Sequence, residues 1–452
     1  MTSIVHCDFP RVLLVSSSAF NAYSGGGVLL SNLFRGWPRD RIATLHSEIL
    51  PLETDVCESY FKLGTDEFQI AIPFAESVRS WYRLRKMGST DGSGKTSGAG
   101  GGAGVGTIRY LQWLLALAGD GLPETVRLSR ALIEWVESFR PEVLYTLLGS
   151  LAYIRLVKLL QERFGIPVVI HMMDDWPEHL YRRGVFGPFL RRRMDGEFNA
   201  LLRTAQARLG ICDAMCKEYE RRYGLPFVTF HNPVEESEWQ SSGKRGSAGT
   251  PFRIVYYGTI VEVAQLRSLM DVGWAVHGLR RSGLAVEFRI HTQYYSLQQH
   301  RSVLETCPGI RIGPETGKDD FRSVITAADL LVLPVNFDTR SVRYLRLSFP
   351  AKLPAYMASG TPILAYGPLE MAQIRYLAEA GAAHVVTHKS HEALAAAIRR
   401  LMTDEAYRAK IGQRAHELAL ERHGATRVRT AFRSALAQAA ATGPARQTIT
   451  VS

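Results

Sequence analysis

Apolar residues along this 452-residue chain fall into strand-length runs separated by stretches with helical spacing. In the first half, residues 11–16 (RVLLVS) read as a buried strand and 141–147 (PEVLYTL), 167–171 (PVVIH) and 227–230 as further strands, with 207–210 leading into the helix that follows. Helical spacing fills residues 28–37, 125–139 and 151–164, the last closed by Gly165. A further helix runs from Asp213, placed as its cap, to Gly224. In the second half, residues 252–257 (FRIVYY), 287–291 (EFRIH), 310–312, 330–335 (LLVLPV) and 362–366 (PILAY) repeat the strand pattern. Between the halves lies a polar, glycine-rich stretch, residues 241–251 (SSGKRGSAGTP), which reads as a linker. Alternating strands and helices on both sides predict an α/β protein of two doubly wound, parallel-sheet, Rossmann-like domains facing a cleft. The expected domains are 1–240 and 251–425, with 426–452 as the end of a C-terminal helix and a loose tail.

Composition narrows the class. Hydrophobic content of 46% with 21% charged residues suits a globular enzyme. Five scattered cysteines point to reduced thiols in the cytoplasm, and Cys212 and Cys216 have no second pair with which to build a zinc site. The first residues lack the basic leader of a signal peptide, and no run reaches the ~20 apolar residues needed to span a bilayer. A net charge of +11 implies an acidic partner. Arginines come in small clusters such as 191–193, with no basic arm or nucleic-acid motif, so nucleic acid is not expected. Residues 88–106 (GSTDGSGKTSGAGGGAGVG) read as a mobile loop. The apolar run 108–117 is either a core helix or a segment touching a membrane.

Candidate chemistry concentrates at strand ends, where open α/β sheets bind ligands. Residues 348–368 (SFPAKLPAYMASGTPILAYGP) read as a loop, a helix over 351–358 opened by Pro350 and ended by Gly360, and a strand. They follow a loop bearing Asp338, Arg340, Arg343 and Arg346. Gly25, Gly26 and Gly27 precede a helix, as either a phosphate-facing loop or a flexible turn. His171 stands at a strand end, followed by Asp174, Asp175, Trp176 and Pro177. Asn232 and Pro233 stand before the linker, and Gly258 and Thr259 form the first turn of the second half.

The order of Lys352, Tyr356-Met357-Ala358, Gly360, Thr361-Pro362 and Gly367-Pro368 resembles the nucleotide-sugar site of family 4 retaining glycosyltransferases, which have the GT-B fold. The glycine loop, His171 and Asn232-Pro233 match the family in the same order. The resemblance implies transfer of a sugar from a nucleoside diphosphate sugar to a hydroxyl, on a glycan, lipid-linked glycan or small molecule, without a metal or other cofactor. It assigns the diphosphate to Lys352, supported by Gly258, Thr259 and the glycines at 25–27, and the sugar or acceptor to His171 with Asp174 or Asp175. Asn232, Ser348, Ala351 and Tyr356 complete the implied donor site. Ala355 and Leu347 depart from the family, standing where most members carry paired glutamates, and Thr259 stands in place of an arginine. A nucleotide-sugar epimerase and a non-catalytic carbohydrate-binding or scaffold protein therefore stay open. The charge and the run 108–117 leave open a cytoplasmic protein held peripherally at the inner face of the membrane.

Overall fold

The computed structural model describes residues 9–70, 121–239, 251–314 and 320–442. The run 88–106, the stretch 108–117 and the linker up to residue 250 lie outside the described residues. The chain divides into two compact units, Met1–Phe230 with Thr430–Ser452, and His231–Arg429.

The first unit is built on β1 (Val12–Ser16), β2 (Ile42–His46) and β3 (Ser59–Lys62), with a separate antiparallel pair of β4 (Phe68–Ile70) and β5 (Glu124–Val126). It continues with β6 (Val143–Leu148), β7 (Val168–Met172), β8 (Ala207–Gly210) and β9 (Val228–Thr229). The main sheet is parallel throughout, in the order β3-β2-β1-β6-β7-β8-β9. Every residue of β1, β2, β6 and β7 is buried, as strands covered by helices on both faces require. The sheet reverses direction of growth between β1 and β6. Where a helix was expected from residue 125, Thr125 and Val126 pair with Gln69 and Phe68, and the helix Arg130–Phe139 starts later, capped by Ser129. The returning tail brings Phe432, fully buried, edge-on against Phe34 and Tyr145.

The second unit carries β10 (Phe252–Tyr257), β11 (Val286–His291), β12 (Ile310–Ile312), β13 (Leu330–Pro334), β14 (Ile363–Tyr366) and β15 (His384–Val386). They form a parallel sheet in the order β12-β11-β10-β13-β14-β15, whose reversal lies between β10 and β13. Long helices follow at His391–Thr403, Glu405–His423 and Ala425–Ala441, and residues 443–452 of the tail expected to be loose lie outside the described residues.

Candidate functional site

In the second unit, chemistry gathers at the carboxyl end of β10, beside the reversal of strand order. Gly258 adopts φ +143, open to glycine and strained for other residues, and a Cβ there would lie 2.7 Å from Lys352 Nζ. The missing side chain is thus the space that the lysine occupies. The Lys352 ammonium donates to the Tyr257 carbonyl at 3.0 Å and lies 3.7 Å from the centre of the Tyr256 ring. Tyr356 fastens the same strand end, its hydroxyl donating to Tyr257 O at 2.9 Å and accepting from Tyr257 N at 2.8 Å. Among the described residues no carboxylate forms an ion pair with Lys352. The residue keeps some surface in water, but its ammonium is packed in protein, and burial lowers its pKa from 10.5 to about 7. An unneutralised cation in such a place carries an electrostatic cost that an anionic ligand would remove.

The neighbouring residues hold this arrangement in place. Asn232 Nδ2 donates to the Ala351 carbonyl at 2.6 Å, so Asn232 and Ala351, both expected as donor ligands, anchor the segment leading to Lys352. Tyr356, also expected as a ligand, is fully buried with its hydroxyl engaged by backbone. Ser348 is buried, and the adjoining Phe349 packs against His231, Tyr376 and His423. Thr259 accepts the Tyr256 hydroxyl on its carbonyl at 2.7 Å. The helix expected over 351–358 is shorter, Leu353–Ala358, with Pro354 rather than Pro350 in its first turn. Pro350 instead accepts on its carbonyl from Leu353 N in a turn. Ala355 is half-buried and Leu347 is in the core.

Beyond β13 the expected loop is largely a helix, Thr339–Leu345, capped by Asp338, whose carboxylate accepts from Ser341 N and Oγ. Arg340, Arg343 and Arg346 therefore share one face at three-residue spacing, with Arg340 and Arg343 exposed. The segment before it is locked by Asn336, fully buried, which donates to Glu262 O and accepts from Ser268 N. Glu262 opens a π-helical turn, Glu262–Leu266, a rare geometry that often marks functional sites. Neither Asn336 nor this turn is signalled in the sequence beyond a polar residue following an apolar run.

In the first unit, His171 lies inside β7, one residue before its end, and is fully buried. Its Nδ1 pairs with the Tyr145 hydroxyl at 2.6 Å. Asp174 is exposed just beyond the strand. Asp175 corrects the expectation of a sugar or acceptor ligand: it is 2% exposed, and both oxygens are taken by Arg222 at 2.8 Å, with Tyr219 OH at 3.0 Å. Gly25, Gly26 and Gly27 are not a loop but the first turn of the helix Gly25–Phe34, capped by Ser24. A Cβ on Gly27 would lie 2.3 Å from the buried Asn21 side chain, so that glycine makes room for protein. Asn21 in turn accepts from Tyr23 N and Ser24 N, shaping the approach to the helix. At the β1/β6 reversal Leu148 takes φ +56, a left-handed conformation that costs an apolar side chain about 1–3 kcal/mol and recurs at functional sites.

Replacing Gly258 by alanine tests the second-unit arrangement directly. The added Cβ meets the ammonium and strains the backbone, so Gly258→Ala should weaken binding of the anionic ligand by about tenfold or more. Isothermal titration reads this, and unchanged affinity would dissociate Lys352 from the ligand.

Residues 267–433 match a family model described as glycosyl transferase-like. Over nearly its whole length the chain shares its fold with solved structures. Anabaena HepE in complex with UDP and glucose is 13% identical, with a TM-score of 0.58, covering 95% of this chain and 100% of that one. Sucrose-phosphate synthase from Thermosynechococcus elongatus is 11% identical, with a TM-score of 0.60 and coverage of 96% and 100%. α,α-Trehalose 6-phosphate synthase from Burkholderia multivorans is 12% identical, with a TM-score of 0.59 and coverage of 96% and 100%. No curated protein matches the chain in sequence.

Proposed function

We propose that the chain, which has the GT-B fold and whose residues 267–433 match a glycosyl transferase-like family model, transfers a sugar from a nucleoside diphosphate sugar to a hydroxyl acceptor, with retention at the anomeric carbon. The observation that carries this reading is Lys352: a packed ammonium with no acidic partner among the described residues, held at the strand-order reversal of the second unit by Gly258, Tyr256 and Tyr257. In the transfer, the bond from the anomeric carbon to the diphosphate oxygen breaks, a bond to the acceptor oxygen forms, and the acceptor's hydroxyl proton passes to the departing diphosphate. Negative charge grows on the departing diphosphate, and a preorganised cation there lowers the barrier without reorganising solvent. Arg340 and Arg343 offer further positive charge. His171 and Asp174 are the first unit's candidates for the sugar or acceptor hydroxyl. Asp175, held by Arg222, positions the loop that carries Asp174. HepE has been crystallised with UDP-glucose, which makes UDP sugars the first donors to try.

Donor binding should depend on pH with a definite sign. Lys352 is half protonated near pH 7 in the donor-free protein, and only the ammonium form pairs with a diphosphate. The groups facing it are the Tyr256 and Tyr356 phenols, whose pKa values burial raises, so neither contributes a charge at neutral pH. Apparent donor affinity and kcat/KM should therefore fall about tenfold per pH unit above about pH 7. Titration at pH 8 in buffers of different ionisation enthalpy should show uptake of nearly one proton per donor. A flat profile removes Lys352 from the diphosphate. No binding of any UDP, GDP or ADP sugar favours the non-catalytic reading, which Ala355 and Leu347 support through the absence of the family's glutamates.

A further inference from the structure

A second chemically distinctive surface lies in the first unit, at the turn that enters the helix Gly187–Thr204. Residues 181–193 read YRRGVFGPFLRRR, with five arginines and no acidic residue. Val185 is 66% exposed and Phe189 55%, and Pro188 between them is also exposed. This is not the fraying of a loose loop. Tyr181, at φ +58, and Leu190 are buried beneath the turn, Gly187 N donates to Gly184 O at 3.0 Å, and Arg191 binds the Pro177 carbonyl. A fixed turn thus presents a branched aliphatic, a proline and an aromatic ring to water, at an energetic cost the fold does not recover internally.

The arginines border this apolar tip on both sides. Arg192 and Arg193 follow Phe189 by three and four residues and so share its helix face, and the Arg193 guanidinium lies 5.5 Å from the Phe189 ring. Arg182 and Arg183 are exposed on the approach to the turn. The local acids are Glu178, paired with Arg182, Asp195, paired with Arg191, and Glu197, 3.8 Å from Arg193. They lie outside the tip, and three acids against five arginines leave the surround positive.

We propose that this turn docks the protein on an anionic lipid bilayer, with Val185, Pro188 and Phe189 entering the headgroup boundary and Arg192 and Arg193 pairing with lipid phosphates. Apolar tips flanked by guanidinium groups suit the depth profile of a membrane surface: hydrocarbon contact at the centre, phosphate around it. Nucleic acid would use the arginines but has no contact to offer Val185 and Pro188. The surface is independent of the transfer reaction and stands if that reading falls. If both hold, it confines the transferase to acceptors at or near the membrane.

The test is co-sedimentation of the full chain with vesicles of phosphatidylcholine alone or with about 30% phosphatidylglycerol, at low and high salt. Wild type should bind the anionic vesicles, weakly or not at all the neutral ones, and lose binding as salt rises. Val185→Ser with Phe189→Ser, and separately Arg192→Glu with Arg193→Glu, should each reduce binding by about tenfold or more while leaving the melting temperature unchanged, since these side chains are exposed. Arg130→Glu with Arg301→Glu, an equal change of net charge on other helices, should leave binding within about twofold. The proposal is overturned if wild type does not bind anionic vesicles, or if the control pair weakens binding as much as the arginine pair. Unaltered binding by the serine pair, together with tight binding to duplex DNA, would assign the surface to nucleic acid instead. A concentration-dependent dimer dissolved by the serine pair, without vesicle binding, would assign it to a second copy of this chain.

Discussion

Lys352→Met should abolish most sugar transfer while making the protein more stable. Methionine keeps the length and apolar stem of the side chain and removes the ammonium. On the reading above, the loss of a cation facing the departing diphosphate lowers kcat/KM by about 10²–10³-fold. Stability moves the other way. In the folded protein the lysine titrates at about 7, against an ordinary value of 10.5, so below pH 7 the folded state carries the full cost of a packed charge. That cost fades as pH rises from 7 towards 10.5, where the unfolded chain still holds its proton and the folded one has released it. At pH 7 the burden is about 2–4 kcal/mol after allowing for the water that still reaches part of the residue. The interactions lost with the ammonium are one bond to Tyr257 O, which keeps the Tyr356 hydroxyl, and two ring contacts, with Tyr256 and more distantly with Tyr356. Thermal melting should therefore rise in the variant at pH 7, and the gap should narrow at pH 9. A variant that melts lower at pH 7, or that turns over normally, would sink the assignment.

Much of this was legible in the chain. Continuous apolar runs such as VLLVS and LLVLP can only be satisfied by strands covered on both faces, and their alternation with helical spacing dictates the parallel order at both sheets. The glycine caps at 165 and 224 are local and read directly, because only a left-handed residue ends those helices without strain. Lys352 and Gly258 were each legible as candidates, but not that one fills the space left by the other, since that contact joins positions 94 apart. The errors share one cause. Residue type does not show which partner a polar group has already taken. Asn232 and Tyr356 look like ligands in sequence, and the fold turns both towards backbone. Gly27 looks like a phosphate loop until Asn21 is seen beside it. The shortened helix at Leu353–Ala358 follows from two prolines competing for its first turn, which periodicity alone does not rank.

Asp175 offers the sharpest separation of structure from chemistry, because replacing its partner should unfold much of the first unit's ligand-side loop. Arg222→Ala leaves a carboxylate that is 2% exposed with only the Tyr219 hydroxyl at 3.0 Å, and removing one member of such a pair costs about 3–5 kcal/mol. Arg222 also bonds Glu218 at 2.8 Å, but Glu218 keeps Arg221 at 2.9 Å, so Asp175 is the acid left without a cation. Asp175→Asn with Arg222→Met removes both charges together and should recover most of the loss, since the desolvation cost disappears with the pair. Chemical denaturation of the two single variants and the double variant measures the coupling. Transfer activity then separates roles: if Asp175 only positions the loop, the double variant regains activity along with stability, and the acceptor-side candidates reduce to His171 and Asp174. If it regains stability and stays inactive, the carboxylate of Asp175 takes part in the reaction despite its ion pair, and the loop must release it from Arg222 when substrate binds.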